Sequence, residues 1–266
     1  SITKFHGREN IHSKVLLELP EDNLGNLMPP PDELIKDLSG AKSIFVYTHL
    51  VPYFGYYIAP RINAPFKLLT HKSDYSVTIM DFQLLNHPYL RIWYAQNCQF
   101  SHSKLKPLPI GLENSQWGPE KLKLICSAGE RVIKKKSLYV NFSIQTHPSR
   151  TEALSIAKKL STSTIESGVS YETYLKGLAD HKFCICPRGN GIDTHRFWEA
   201  QYLDCVPIIL SRDWTSSYSS MPILILDDWR DLEGLDLELM YIKISTRQFS
   251  REGLSLAKIS KEIIGD

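Results

Sequence analysis

The stretch FCICPRGNGIDTHRFWEAQYLDCVPIIL, residues 183–210, decides the fold of this chain. It predicts a buried strand from Phe183 to Cys186, then a glycine-rich turn, a short helix, and a second buried strand from Val206 to Leu210. A strand, a turn with two glycines and a helix in this order are typical of a parallel α/β sheet. Such a sheet binds ligands at the carboxyl ends of its strands.

The turn and the start of its helix predict a phosphate site, because a helix N-terminus offers unpaired N–H groups and a positive dipole end. Arginines beside it would add charge-assisted hydrogen bonds to a diphosphate. Glu199, one turn into the helix, would accept hydrogen bonds from a ribose. The predicted nucleotide-binding residues of this segment are Arg188, Gly189, Asn190, Gly191, Asp193, Thr194, His195, Arg196 and Glu199.

Five of these residues have a structural alternative. Arg196 and Glu199 could be ordinary charges on the helix, and His195 could serve packing. Arg188 at the end of a buried strand could form a salt bridge with Glu199 and serve no ligand. Asp193 could be the N-cap of the helix that starts at Thr194. A capping role and a ligand contact are compatible for Asp193.

The composition is that of a soluble globular protein. The chain has 266 residues, 42% of them hydrophobic and 23% charged, with a formal net charge of +2. This balance gives no indication of a nucleic-acid partner. No apolar run approaches the roughly 20 residues of a transmembrane helix, and we expect no signal peptide from the N-terminal sequence. We therefore expect no transmembrane segment and a cytoplasmic location.

The cysteines predict neither disulfides nor zinc. Their number is odd, and their spacing lacks the second pair that a zinc site needs. We expect all five to be reduced, buried thiols. They are Cys98, Cys126, Cys184, Cys186 and Cys205.

The remaining chain alternates strands with helices and predicts an α/β fold with two successive doubly wound units. Strands are expected at 43–47, 90–95 and 105–111, strands or strand ends at 68–70 and 76–80, and after the connection strands at 137–142 and 222–226. Helices are expected at 81–85, 117–136, 151–160 and 170–180. We therefore predict two Rossmann-like domains that face a cleft, residues 1–125 and residues 126–250. A C-terminal helix, 251–266, is expected to cross back to the first domain.

The central segment resembles a known family. PRGNGIDTHRFWEA at 187–200, followed by CVPII at 205–209, is similar to the donor-binding segment of exostosin-like glycosyltransferases of the GT47 type. Within that family, this segment most resembles the short members from microbes and large DNA viruses. Supporting matches are WYAQN at 93–97, PIGLE at 109–113, and YVNFS at 139–143 with Thr146 and Arg150. The resemblance covers roughly residues 68 to 232.

The resemblance implies a GT-B fold and an activity. The C-terminal domain would hold a nucleotide-sugar donor, and the N-terminal domain a glycan or glycoprotein acceptor. A UDP-sugar is the expected donor, with xylose a candidate sugar, and no other cofactor is required. If the chain is viral, its location would be the host cytoplasm.

The chemistry of such a transfer needs charge stabilisation for the leaving diphosphate, from a metal ion or from fixed cations. The chain favours fixed cations, namely Arg150, Arg188 and Arg196. Its acidic pair Asp227–Asp228 lacks the oxygen-ligand cluster of a metal site, so we expect no metal. Further donor contacts are expected from Asn141 and Ser143 at a strand end, and a stacking contact from Trp214 or Tyr218.

Inverting transfer also needs a base for the acceptor hydroxyl. Asp74, in the loop HKSD after a strand of the first domain, is the candidate. His71 and His49 are the substitutes.

Two other functions remain open at this point. The partial glycine pattern after a strand also fits a dinucleotide-dependent oxidoreductase, but the third glycine is absent and no acidic residue follows the next strand. A non-catalytic carbohydrate-binding protein with the same fold is the second alternative.

Overall fold

The computed structural model describes residues 13–16, 29–112, 119–129, 133–213, 221–246 and 260–263. Its contacts divide the chain into two compact units, which we call unit 1 (1–109 with 250–266) and unit 2 (110–249). The predicted boundary after residue 125 therefore differs from the observed one. Residues 110–125 belong to unit 2, in which Ile110 bonds Asp193 and Gly111 bonds His195.

Unit 1 is built on a five-stranded parallel sheet whose strands lie in chain order. The strands are β1 (Ser13–Leu16), β2 (Ser43–Tyr47), β3 (Phe66–His71), β4 (Leu90–Ala95) and β5 (Leu105–Pro107). The predicted strands at 43–47 and 90–95 are confirmed with their bounds. The predicted doubly wound order is wrong for this unit, since its described strands contain no reversal of order.

Short helices connect these strands and bury their apolar faces on the sheet. α1 (Asp32–Ser39) begins after Pro31 with two acidic residues in its first turn, as the helix dipole favours. α2 (Val51–Tyr53) continues into a π-helical turn, Phe54–Ile58, and α3 (Phe82–Leu85) precedes β4. The predicted strand at 76–80 is wrong. A 3₁₀ turn, Ile79–Asp81, lies there and is fixed by a capping box between Thr78 and Asp81.

The described C-terminal residues lie on unit 1. Residues 260–263 are helical, and Lys67 Nζ donates to the carbonyls of Glu262 (2.9 Å) and Ile263 (2.8 Å). The hydroxyl of Ser43 donates to Ile263 (3.3 Å), and Tyr94 donates to the Glu262 carboxylate (3.1 Å).

Unit 2 contains the second five-stranded parallel sheet, in the order β10-β9-β8-β6-β7. Its strands are β6 (Lys136–Val140), β7 (Ser163–Ile165), β8 (His181–Ile185), β9 (Val206–Leu210) and β10 (Leu224–Leu226). This order is doubly wound, and it reverses between β6 and β8. The crevice at such a reversal is where open α/β sheets bind ligands.

The helices of unit 2 are α4 (Pro119–Ala128), α5 (Pro148–Ala157), α6 (Tyr171–Asp180), α7 (His195–Tyr202) and α8 (Leu237–Ser245). α4 is shorter than the predicted helix 117–136, since Lys136 already belongs to β6. α8 and β7 were not predicted. The two Rossmann-like α/β domains expected of a GT-B type fold are confirmed.

Two further expectations are settled here. All five cysteines are free, but Cys126 on α4 is exposed, so the prediction that all are buried is wrong for it. Within the described ranges no helix is both long and apolar enough to cross a membrane.

Gly177 allows α6 to pack closely on β6. A Cβ at this position would overlap the ring of Tyr139 and lie 2.6 Å from its hydroxyl oxygen. Tyr139 is fully buried, and its hydroxyl donates to Glu166 (2.7 Å) and accepts from Asn141 (3.3 Å). The glycine thus sets the position of a tyrosine that contacts a predicted donor-binding residue.

Gly177→Ala should destabilise the protein by about 1–3 kcal/mol, since overpacking outweighs the better helix propensity of alanine. Denaturant unfolding measures this change. Gly234→Ala is the matched control, because a Cβ there meets nothing within 4 Å, and a change within about 0.5 kcal/mol is expected. Equal stability of the two variants would contradict the packing argument.

Candidate functional site

A pocket of about 450 Å³ lies in unit 2 beside the switch point between β6 and β8. The residues that line it come from the end of β6, from α5, α6 and the loop before it, and from the start of α7. They are Asn141, Arg150, Val169, Tyr171, Tyr174, Thr194, His195, Arg196 and Glu199. Six of the predicted donor-binding residues therefore lie together.

The start of α7 is anchored to the segment that enters unit 2. One oxygen of the Asp193 carboxylate accepts from the Ile110 N–H (2.7 Å) and the other from the Trp198 indole N–H (2.7 Å). The ring of His195 bonds the Gly111 carbonyl (2.7 Å). Gly111 has φ +75°, a conformation that favours glycine. These bonds fix the helix end that faces the pocket.

Asp193 is not the N-cap of α7 that the structural alternative predicted. The N-cap of α7 is Thr194, whose side chain makes no capping hydrogen bond. Burial raises the pKa of the Asp193 carboxyl to about 6, against the hydrogen bonds from Ile110, Trp198 and Thr194, which lower it. Asp193 is absent from the pocket lining, and both of its oxygens are engaged.

Arg150 ties the ends of β6 and β8 together. Its Nε donates to the Arg188 carbonyl (2.8 Å) and its Nη1 to the Ser143 carbonyl (2.9 Å). The residue is 7% exposed, and burial, with help from the nearby Arg196, lowers its pKa to about 10. It remains a cation at neutral pH.

Gly189 is required by this arrangement. A Cβ at 189 would lie 2.9 Å from Arg150 Nη2, so a side chain would displace the guanidinium. The Gly189 N–H donates to the Gly191 carbonyl (2.9 Å) and closes the turn. The two glycines therefore shape the loop around Arg150.

Arg196 brings a second cation to the pocket. Its guanidinium lies 5.7 Å from the ring centre of Phe142, whose ring is also 6.0 Å from the Arg150 guanidinium. The Nε of Arg196 is buried without a hydrogen-bond partner. Within the described part of the chain, neither guanidinium has a carboxylate in ion-pair range. Charges in such surroundings are normally paired, so an anionic ligand is expected here.

Glu199 is buried, with 6% exposure, yet lines the same pocket. Its two carboxylate oxygens accept from the hydroxyls of Tyr171 (2.6 Å) and Tyr174 (2.7 Å). The site thus contains two cations and a fixed hydrogen-bond acceptor.

Arg188 lies outside the pocket lining. Its guanidinium donates to the carbonyls of Gly189 (3.4 Å) and Asn190 (3.2 Å), and its Nη1 is 3.6 Å from Asp213 Oδ1. Its ion pair is therefore with Asp213, not with Glu199 as the structural alternative supposed. Ser143 contributes its carbonyl to Arg150 and likewise does not line the pocket.

The predicted base lies on unit 1. Asp74 is exposed in the loop after β3, and the buried Asn97 side chain donates to the carbonyls on either side of it, Ser73 (3.3 Å) and Tyr75 (3.4 Å). His71 Nε2 bonds the Pro109 carbonyl (3.3 Å), and His49 is exposed between the rings of Tyr47 and Tyr75. The loop that carries the Asp74 carboxylate is therefore held by hydrogen bonds from Asn97.

Three side chains of interest escaped sequence reasoning. Tyr171 and Tyr174 fall within the predicted helix 170–180, and Asn97 within the WYAQN motif. Two tyrosines at i and i+3 on one helix face carry hydroxyls that need partners where they are buried, and this signal could have indicated Glu199. Trp214 and Tyr218 lie outside the described residues. No group of three or more potential metal ligands occurs in the described ranges.

The comparisons with known proteins concern this same region. The family model of the Exostosin GT47 domain matches residues 103–232. Exostosin-1a of Danio rerio is 32% identical over 71 residues, 27% of this chain and 9% of that protein. A probable glycosyltransferase of Arabidopsis thaliana is 27% identical over 101 residues, 35% of this chain and 18% of that protein. The chain thus spans less than a fifth of the length of these curated relatives.

Among solved structures, two of alpha1,3-fucosyltransferase are similar at 12% identity and cover 85% of this chain. One has a TM-score of 0.44 over 79% of its own chain. The other, with GDP-fucose, has a TM-score of 0.46 over 78%.

The raised pKa of Asp193 predicts a pH dependence. A carboxyl whose folded pKa (about 6) exceeds its ordinary value of 3.8 stabilises the fold most below pH 4, and this contribution is lost as the pH rises through 6. The stability of the native protein relative to Asp193→Asn should therefore fall by up to about 3 kcal/mol between pH 4 and 7. Denaturant unfolding of both proteins across this range is the measurement, and a constant difference would refute the assignment.

Proposed function

We propose that this protein is an exostosin-like glycosyltransferase that transfers a sugar from a nucleoside diphosphate sugar to a glycan hydroxyl. The family match at 103–232 supports the class of reaction and contains every residue of the pocket. The observation that carries the proposal is the pair of guanidiniums in that pocket. Arg150 and Arg196 meet no carboxylate in ion-pair range among the described residues, and a diphosphate supplies the missing charge.

The donor fits the pocket by chemistry. Its diphosphate would lie against Arg150, Arg196 and the α7 N-terminus at Thr194 and His195, where the helix dipole adds to the positive charge. Its ribose hydroxyls would bond Glu199. Asn141, with its amide at the end of β6, is a further contact.

In the transfer, the bond between the anomeric carbon and the diphosphate oxygen breaks and leaves charge on the diphosphate. Fixed guanidiniums stabilise this developing charge without a metal ion. Arg188 is proposed as a third cation, which would exchange its contact with Asp213 for the diphosphate. Gly189, Asn190 and Gly191 form the turn that presents it.

The acceptor side of the proposal rests on unit 1, outside the family match. Asp74 takes the proton of the acceptor hydroxyl while that oxygen bonds the anomeric carbon, so the configuration inverts. The exposed carboxylate on a loop fixed by Asn97 supports this role. His71, engaged with a backbone carbonyl, is the substitute.

The proposal further names a UDP-sugar as the donor and xylose as its sugar. It places the protein with the short microbial and viral members of the family and in the cytoplasm. Five free cysteines support a reducing compartment. Release of nucleoside diphosphate from a donor panel, in excess chelator and with several glycan acceptors, tests the proposal. UDP-, GDP- and xylose-containing donors belong in that panel, with NAD as the control for an oxidoreductase. If no donor released nucleoside diphosphate and no nucleotide bound, the proposed function would be refuted.

Arg196→Ala should raise the Kd for the nucleoside diphosphate roughly 10–100-fold, the scale of one or two charge-assisted hydrogen bonds. Titration calorimetry measures it. Arg230→Ala removes an equal charge from an exposed position of unit 2 outside the pocket and should leave the Kd nearly unchanged. Similar effects of both substitutions would mean that net charge alone attracts the nucleotide.

Asp74→Asn should lower the transfer rate by at least about 10²-fold and leave the donor Kd unchanged, because the amide is isosteric but accepts no proton at neutral pH. Single-turnover rates with saturating donor are the measurement. Asp32→Asn, at an exposed position of unit 1, is the control. Normal turnover by the Asn variant, or a retained anomeric configuration in the product, would refute the base assignment.

A further inference from the structure

The carboxylate of Glu199 is held in an unusual manner. Each of its oxygens accepts one tyrosine hydroxyl, from Tyr171 at 2.6 Å and from Tyr174 at 2.7 Å. Both tyrosines come from the first turns of α6, at positions i and i+3, and their ring centres are 5.9 Å apart. The helix α6 therefore fixes the rotation and the tilt of a carboxylate that belongs to α7.

The tyrosines are themselves well fixed. Tyr174 is 7% exposed, lies 6.2 Å from the ring of Tyr139, and has the Arg196 guanidinium 6.0 Å from its ring centre. Burial and the adjacent Glu199 raise the pKa of Tyr174, so its hydroxyl retains its proton and donates. Tyr171 is half-buried, with the Lys121 ammonium 4.9 Å from its ring centre. All four of Tyr171, Tyr174, Arg196 and Glu199 line the pocket.

A carboxylate offers about four acceptor positions, and the tyrosines occupy one on each oxygen. The other two acceptor positions stay with the Glu199 carboxylate, which lines the pocket in a fixed orientation. Two acceptor positions on one rigid carboxylate match two hydroxyls on adjacent carbons, which is what the 2′ and 3′ positions of a ribose present. A carboxylate without these tyrosines would lose rotamer entropy when it binds.

We infer that Tyr171 and Tyr174 are positioning residues that orient Glu199 toward the vicinal hydroxyls of a ribose, and so make the site selective for ribonucleotides over 2′-deoxyribonucleotides. This inference rests on the proposed function. Neither tyrosine touches the reacting atoms, and both act through Glu199.

The test compares affinities for matched nucleotide pairs, UDP with 2′-deoxy-UDP and GDP with 2′-deoxy-GDP, by titration calorimetry. The native protein should prefer the ribonucleotide by roughly 10-fold or more, as expected when a charged acceptor loses its partner. Tyr171→Phe and Tyr174→Phe should each reduce that ratio several-fold. They should weaken binding of the ribonucleotide, which bonds Glu199 through two hydroxyls, more than binding of the deoxynucleotide, which keeps only the 3′-hydroxyl. If Tyr174→Phe fails to fold, the half-buried Tyr171→Phe gives the result.

Tyr202→Phe is the matched control, since this tyrosine is on α7 but outside the pocket lining, with its hydroxyl 3.5 Å from Cys126 Sγ. It should keep the native ratio. The inference would be overturned if the native protein bound the ribonucleotide and the deoxynucleotide equally well. It would also be overturned if the tyrosine variants weakened the binding of both nucleotides by the same factor. Either result would leave the proposed function intact. A native protein that binds no nucleotide at all would overturn both.

Discussion

The site in unit 2 depends on one buried guanidinium. Arg150 donates to the carbonyl that follows β6 at Ser143 and to the one that follows β8 at Arg188, so it joins the two strands where the sheet order reverses. The guanidinium therefore sets the distance between the two loop ends, and Gly189 leaves the room for it. The same group then faces the pocket with its charge unbalanced.

The pocket combines groups that would destabilise one another elsewhere. Two guanidiniums lie within about 6 Å of the ring centre of Phe142, and the buried Glu199 carboxylate lines the same pocket, with no ion pair to either among the described residues. Two of the three charges have neutral hydrogen-bond partners: carbonyls for Arg150, and tyrosine hydroxyls for Glu199. Such a site keeps its charges separate and available, which is the property expected of a binding site and not of a structural salt bridge.

Sequence patterns found the elements better than the contacts. Apolar runs identified β2, β4 and β9 with their bounds, but the run at 76–80 failed because only Val77 is buried while Ile79 and Met80 are exposed. Arg150 on α5, and Arg196 and Glu199 on α7, could be named because their types carry charge. The partners of Asp193 could not, since Ile110 is 83 residues away and contributes only a backbone N–H. Backbone partners leave no trace in residue identity.

The hydrogen bonds from Ser43 and Lys67 to residues 262 and 263 impose an order on biosynthesis. Unit 2 lies between the two parts of unit 1 in the chain, so a ribosome releases all of unit 2 before the residues that close unit 1 emerge. Unit 1 therefore begins its synthesis first but gains these C-terminal contacts only after the whole of unit 2 has been made, which departs from the usual vectorial sequence of domain folding from the N-terminus.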